Sequence, residues 1–92
     1  MMKKGTQYTE KDNVATCLAD VYPGDCLQTG FCEVEAAQDV PVYHKIALRP
    51  IRQGEDVYKY GEVIGTATAD ISSGCHVHVH NMESRRGRGD RK

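Results

Sequence analysis

Residues 75–81 read CHVHVHN, placing three of the four histidines of the chain at every second position. Imidazole titrates near neutrality and its neutral nitrogen is a good metal ligand, so such a row can hold a divalent ion or carry protons. In an extended strand, alternation predicts His76, His78 and His80 on one face and Val77 and Val79 on the opposite, core-facing side. Neighbouring histidines would then stand about 6.6 Å apart at their backbones and the outer pair about 13 Å. Two adjacent histidines can therefore share one ion, and all three can do so only if the strand bends sharply. The bland alternative is a solvated strand face whose imidazoles bond to nearby backbone and carboxylates.

Two further polar islands interrupt apolar runs. His44-Lys45 follows DVPVY and precedes IAL, and Lys59-Tyr60-Gly61 lies inside VYKYGEVIG. A lysine there can simply extend to water. Two cations beside a histidine row would instead make an anion-friendly pocket, suited to a small carboxylate or sulfonate. The cysteines, Cys17, Cys26, Cys32 and Cys75, form no CxxC pair. They read as reduced thiols acting as small buried hydrophobes, with Cys75 as a metal ligand the sharper alternative.

The elements that must position these groups are short. No long window repeats apolar residues at three and four, whereas β-branched runs between Gly, Pro, Asp and Asn recur. Predicted strands fall within 13–21, 25–29, 32–36, 44–51, 56–61, 62–71 and 75–81. A faint repeat links LADVYPGDCL, LRPIRQGEDV and TADISSGCHV, which place Gly24, Gly54 and Gly74 three residues after Val21, Ile51 and Ile71. Glycine at that offset predicts a tight turn with positive φ. Ninety-two residues bound a single small domain, mainly β and rich in turns.

Bulk properties narrow the function. The formal net charge is −1, there is no Trp and only one Phe, so a nucleic-acid platform is not expected. The opening MMKKGTQYTEKDN has no apolar run behind its lysines, and no stretch approaches the length of a bilayer span, so a cytoplasmic chain with no membrane contact is expected. Residues 83–92 hold five basic and two acidic residues and no apolar one, which predicts a basic, mobile tail.

HKIALRPI followed by GEDVYKYGEVIGTATADISSGCHVHVHN resembles the SAF domain that begins altronate and galactarate dehydratases. It also resembles the separate small subunit of two-chain members of that family, including sulfolactate sulfo-lyase. The blocks that carry the resemblance are His44-Lys45 with Ala47-Leu48, Lys59-Tyr60-Gly61 with Ile64-Gly65, and His76-Val77-His78 with His80-Asn81. Two positions depart from the pattern: Tyr43, where the family usually has Gly, and Cys75, where an acidic or small residue is commoner.

The resemblance implies a β-clip fold over residues 10–82, with residues 1–9 as an extension. It implies a lyase acting on a hydroxy acid, of the altronate type first and sulfolactate second, with a non-catalytic SAF binding module as the alternative: a base removes the proton next to the carboxylate, and the neighbouring hydroxyl, or sulfite, leaves. A divalent metal is implied, Fe2+ first, with Mg2+ or Mn2+ as alternatives. The chain ends shortly after the HN motif, which points to a separate small subunit completing the site of a large catalytic partner. On this reading His76 and His78 are the catalytic and metal-ligating residues. His44, Lys45, Lys59, Tyr60, His80 and Asn81 bind substrate.

Overall fold

The computed structural model describes residues 1–84; the greater part of the basic tail expected at 83–92 lies outside the described residues. Nine short strands make up the fold: β1 Met2–Thr6, β2 Val14–Cys17, β3 Cys26–Gln28, β4 Glu33–Glu35, β5 Lys45–Ala47, β6 Asp56–Lys59, β7 Glu62–Ala67, β8 His76–Val77 and β9 Met82–Ser84. They form a six-stranded sheet in the order β4-β3-β1-β2-β5-β8 and a three-stranded sheet in the order β6-β7-β9. The described residues contain no helix, as the absence of a helical apolar period requires.

The central β2–β5 ladder divides the core. Val14 pairs with Ala47 and Ala15 with Ile46. Because side chains alternate along a strand, the first pair joins a cluster with Ile51, Val57, Ala67, Ile71 and Val77. The second joins Cys17, Val21, Leu27, Val34, Ala36, Val40 and Leu48. Each face of one thin ladder thus carries its own apolar layer. Cys17 is fully buried, and burial pushes its thiol up to about 11, so it packs as a hydrophobe. All four cysteines are free.

Residues 1–9 are not an extension. β1 pairs antiparallel with β2 and parallel with β3, so it is an interior strand of the larger sheet. Its MKKGT sequence conceals this, because both lysines are polar and Gly5, which lies close against Leu27, has no side chain to signal the packing. The domain also runs past residue 82, since β9 pairs with β7 through Ser84.

The three-fold repeat has a fourth copy. Gly24, Gly54 and Gly74 have φ of 93°, 88° and 82°, each inside a turn closed by Asp25 N–H to Tyr22 O, Glu55 N–H to Arg52 O and Cys75 N–H to Ser72 O. An i to i+3 bond with positive φ at the third residue is the signature of a type II turn, which favours glycine there. The same bond joins His44 N–H to Pro41 O, and Tyr43, with φ of 69°, occupies the glycine position. The four turns are tied in pairs by the isolated bridges Val21–Val40 and Ile51–Ile71. Two of them lead directly into the site: the Tyr43 turn feeds β5 and the Gly74 turn feeds β8.

Candidate functional site

The site forms where β5 meets β8. Lys45 pairs with Val77 and Ile46 with His76. Continuing this antiparallel register by one residue sets His44 opposite His78, and alternation puts His44, His76 and His78 on one face. The rings confirm the placement. The His44 and His78 centroids are 4.4 Å apart and stacked, and those of His76 and His78 are 5.5 Å apart and nearly parallel. His44 Nδ1 and His76 Nε2 are 2.9 Å apart, a hydrogen bond in which one ring nitrogen donates and the other accepts.

The row is not a continuous strand. β8 ends at Val77, and residues 78–81 form a turn. Val77 is buried as expected, but Val79 is 80% exposed and does not face the core. Asn81 causes the reversal. Its carbonyl oxygen accepts from His78 N–H and its amide donates to His76 O, while its backbone N–H donates to His78 O. Both polar ends of the Asn81 side chain bond within the turn, so it orients the histidines. The turn also brings His80 back, with its ring centroid 5.3 Å from that of His76.

One ligand atom from each of His44, His76 and His78 lies within 4.8 Å of the others. Three imidazoles at this spacing can converge on one ion and leave an open coordination position, the arrangement of a catalytic rather than a structural site. His44, expected to bind substrate, thus joins His76 and His78 as a candidate metal ligand, and Cys75 packs against the apolar core instead. The electrostatics suit a ligand role. Burial, then the neighbouring His44, holds the His76 pKa below its ordinary 6.5, with His80, His78 and Lys45 adding to the effect. Burial, His44, Lys45 and His80 do the same for His78. Both rings therefore favour the neutral form that donates to a metal.

Lys45 links this cluster to the second polar island. Half-buried, its ammonium has a lowered pKa, through desolvation first and the nearby Lys59 second. Lys59 lies over the Tyr60 ring at 4.6 Å, and the Tyr60 ring packs on Tyr8 at 4.4 Å. The Lys59 hydrogen bond and charge lower the Tyr60 pKa. Among the described residues, the ion pairs formed by lysine involve Lys3 and Asp25, far from this cluster in the sheet, and neither Lys45 nor Lys59 has a carboxylate partner. Three imidazoles, two ammonium groups and a phenol thus gather with neither lysine ion-paired among the described residues, while the nearby carboxylates, Glu62 opposite Lys59 and Asp12 beneath the Tyr60-Gly61 turn, leave a cationic excess that suits an anion.

Sequence reasoning alone did not reveal two residues. Asp12 is fully buried and underlies the Tyr60-Gly61 turn. The Tyr8 ring packs at a tilt against that of Tyr60. Asp12 lies within TEKDN, a polar run that reads as a loop, and Tyr8 immediately precedes it.

The family model described as the altronate/galactarate dehydratase SAF domain matches residues 3–85. The chain is 39% identical over 83 residues to an altronate dehydratase of Bacillus subtilis, covering 90% of this chain and 17% of that protein. It is 49% identical over 73 residues to an altronate dehydratase of Escherichia coli, covering 79% of this chain and 15% of that protein. It is also 43% identical over 51 residues to a (2R)-sulfolactate sulfo-lyase subunit alpha of Paracoccus pantotrophus, covering 55% of this chain and 76% of that protein. The matched stretch is thus less than a fifth of the length of either altronate dehydratase. Since the family match contains the His44-Lys45, Lys59-Tyr60-Gly61 and HVHVHN blocks, β2 to β9 in full and β1 from its second residue, the chain belongs to the altronate/galactarate dehydratase SAF domain family.

Proposed function

We propose that this chain is the small subunit of a metal-dependent lyase that eliminates water from a sugar acid of the altronate type, working with a separate large catalytic subunit. The observation that carries the reading is the convergence of His44, His76 and His78 within 4.8 Å beside two lysines that lack an acidic partner. A divalent ion held by these imidazoles would supply Lewis-acid stabilisation of charge developing on the substrate carboxylate. The donor set fits an ion such as Fe2+, because imidazole suits iron and the neutral rings need not first lose protons.

The remaining chemistry falls to side chains. Lys45 and Lys59 would bind the substrate carboxylate and fix its orientation toward the histidines. His80, exposed beside His76, is free to exchange a proton with solvent and suits delivery of a proton to the leaving hydroxyl. Abstraction of the proton next to the carboxylate leaves an electron pair that forms the carbon–carbon double bond as the hydroxyl departs as water. The enol then tautomerises to a keto acid. The base for the first step is assigned to the large subunit.

A second reading keeps the site and changes the leaving group. The relative named sulfolactate sulfo-lyase subunit alpha is matched over 76% of its length, and a cationic surface suits a sulfonate as well as a carboxylate. Co-purification of this chain with its large partner, followed by assay with ferrous iron on altronate, galactarate and sulfolactate, separates the two. Keto-acid formation from altronate that requires both chains supports the dehydratase, and sulfite release selects the sulfo-lyase. Retention of full activity in His76→Ala and His78→Ala would reject both.

A further inference from the structure

Asp12 is a fully buried carboxylate that accepts five hydrogen bonds, and no part of the elimination chemistry uses it. Its carboxylate is 0% exposed. Oδ2 accepts from the N–H groups of Tyr8 at 2.9 Å, Thr9 at 3.3 Å and Tyr60 at 3.2 Å. Oδ1 accepts from the Thr9 hydroxyl at 3.0 Å and from Gly61 N–H at 2.7 Å. Burial alone would raise its pKa, but the bonds from Gly61, Tyr8 and Thr9 outweigh this and hold it below the usual carboxylate range.

Two of those donors belong to the two-residue connection between β6 and β7. Tyr60 and Gly61 both have positive φ, 61° and 72°, the conformation of a type I′ hairpin turn. Asn-Gly is the favoured pair there, and a tyrosine at positive φ is disfavoured by its Cβ. The carboxylate supplies what the turn residue does not, by taking both N–H groups of the turn at once. The same bonds fix the Tyr8–Thr9 loop, which puts the Tyr8 ring against Tyr60, and Tyr60 carries the Lys59 ammonium over its face.

We propose that Asp12 is a positioning residue: by clamping the Tyr60-Gly61 turn to the Tyr8–Thr9 loop it holds Lys59 beside Lys45 and so sets the anion-binding surface. The role rests on the reading of Lys45 and Lys59 as an anion site. Asp12 touches no substrate and acts only through the turn. Replacing it by Asn keeps the shape but turns one acceptor into a donor facing other donors. Gly61→Ala strains the same turn from the opposite side without touching Asp12. The backbone there has φ of +72°, and an added Cβ would lie 3.2 Å from Thr9 Cγ2.

The test is a sulfate titration of the full-length chain followed by amide NMR. In the wild-type chain, sulfate is expected to shift the signals of Lys45, Lys59 and Tyr60. Asp12→Asn is expected to move the Gly61 amide proton upfield and weaken sulfate binding about fivefold or more, the loss of roughly one hydrogen bond's net worth. The Ile46 and Val77 amides should stay protected from exchange. Gly61→Ala should reproduce the weakened binding, and it carries the test if Asp12→Asn does not fold. Wild-type sulfate affinity in either variant overturns the proposal, as does loss of Ile46 and Val77 protection in a folded Asp12→Asn chain. If the wild-type chain binds no sulfate while Asp12→Asn still shifts Gly61, the anion-site reading fails and the clamp itself remains as measured.

Discussion

Tyr43 is the residue at which this chain departs most visibly from its own fold. The other three turns place glycine where Tyr43 sits with φ of 69°, and the tyrosine side chain is 74% exposed, so little packing offsets the strain. Tyr43→Gly should stabilise the protein by up to about 1 kcal/mol, read as a higher urea midpoint at unchanged slope. The histidines give the second residue-scale expectation. Burial and the neighbouring imidazoles lower the pKa of His76 and His78 in the folded protein, so these rings protonate less readily folded than unfolded. Their contribution is complete above pH 6.5 and is lost as pH falls from there toward the lowered native values. The urea midpoint should drop on acidification below that point, and His76→Asn should flatten the dependence. Alternation in CHVHVHN was enough to place His76 and His78 together. It could not identify His44 as the third member, because His44 arrives through cross-strand register, nor that Val79 would be exposed, because the strand ends at Val77.

At the scale of elements, the turns position the site. The Asn81 side chain bridges His78 N–H and His76 O, converting an expected strand into a reversal that gathers the imidazoles. Asn81→Ala removes both bonds. It should cost about 1–3 kcal/mol in folding stability and loosen His78 and His80, seen as changed ring chemical shifts while the His44 signal moves least. Positive φ at Gly24, Gly54 and Gly74 was legible because glycine three residues after a buried Val or Ile is a specific signal. The fourth turn was hidden because tyrosine carries no such signal. β1 was hidden for a related reason: MKKGT shows no run of apolar residues, yet its backbone pairs on both edges, and backbone pairing leaves little trace in side-chain pattern.

At the scale of the whole molecule, two apolar layers on a thin ladder carry a polar, cation-rich surface. Apolar residues stand out into solvent close to it in sequence: Tyr43 beside His44, Val79 between His78 and His80, and the Tyr8–Tyr60 pair beside Lys59. A surface with cations at its centre and aromatic and aliphatic groups around it suits docking against a larger protein that covers a shared active site. The central claim is that the three imidazoles act as one unit within such an assembly. The most direct measurement is bound iron and turnover of the proposed two-chain complex, reconstituted with Fe2+ and carrying His44→Ala, since His44 is the one member outside the CHVHVHN stretch. Loss of the ion together with a fall in kcat of about a hundredfold or more is the expected result. A His44→Ala complex that keeps its iron and its rate would contradict the account.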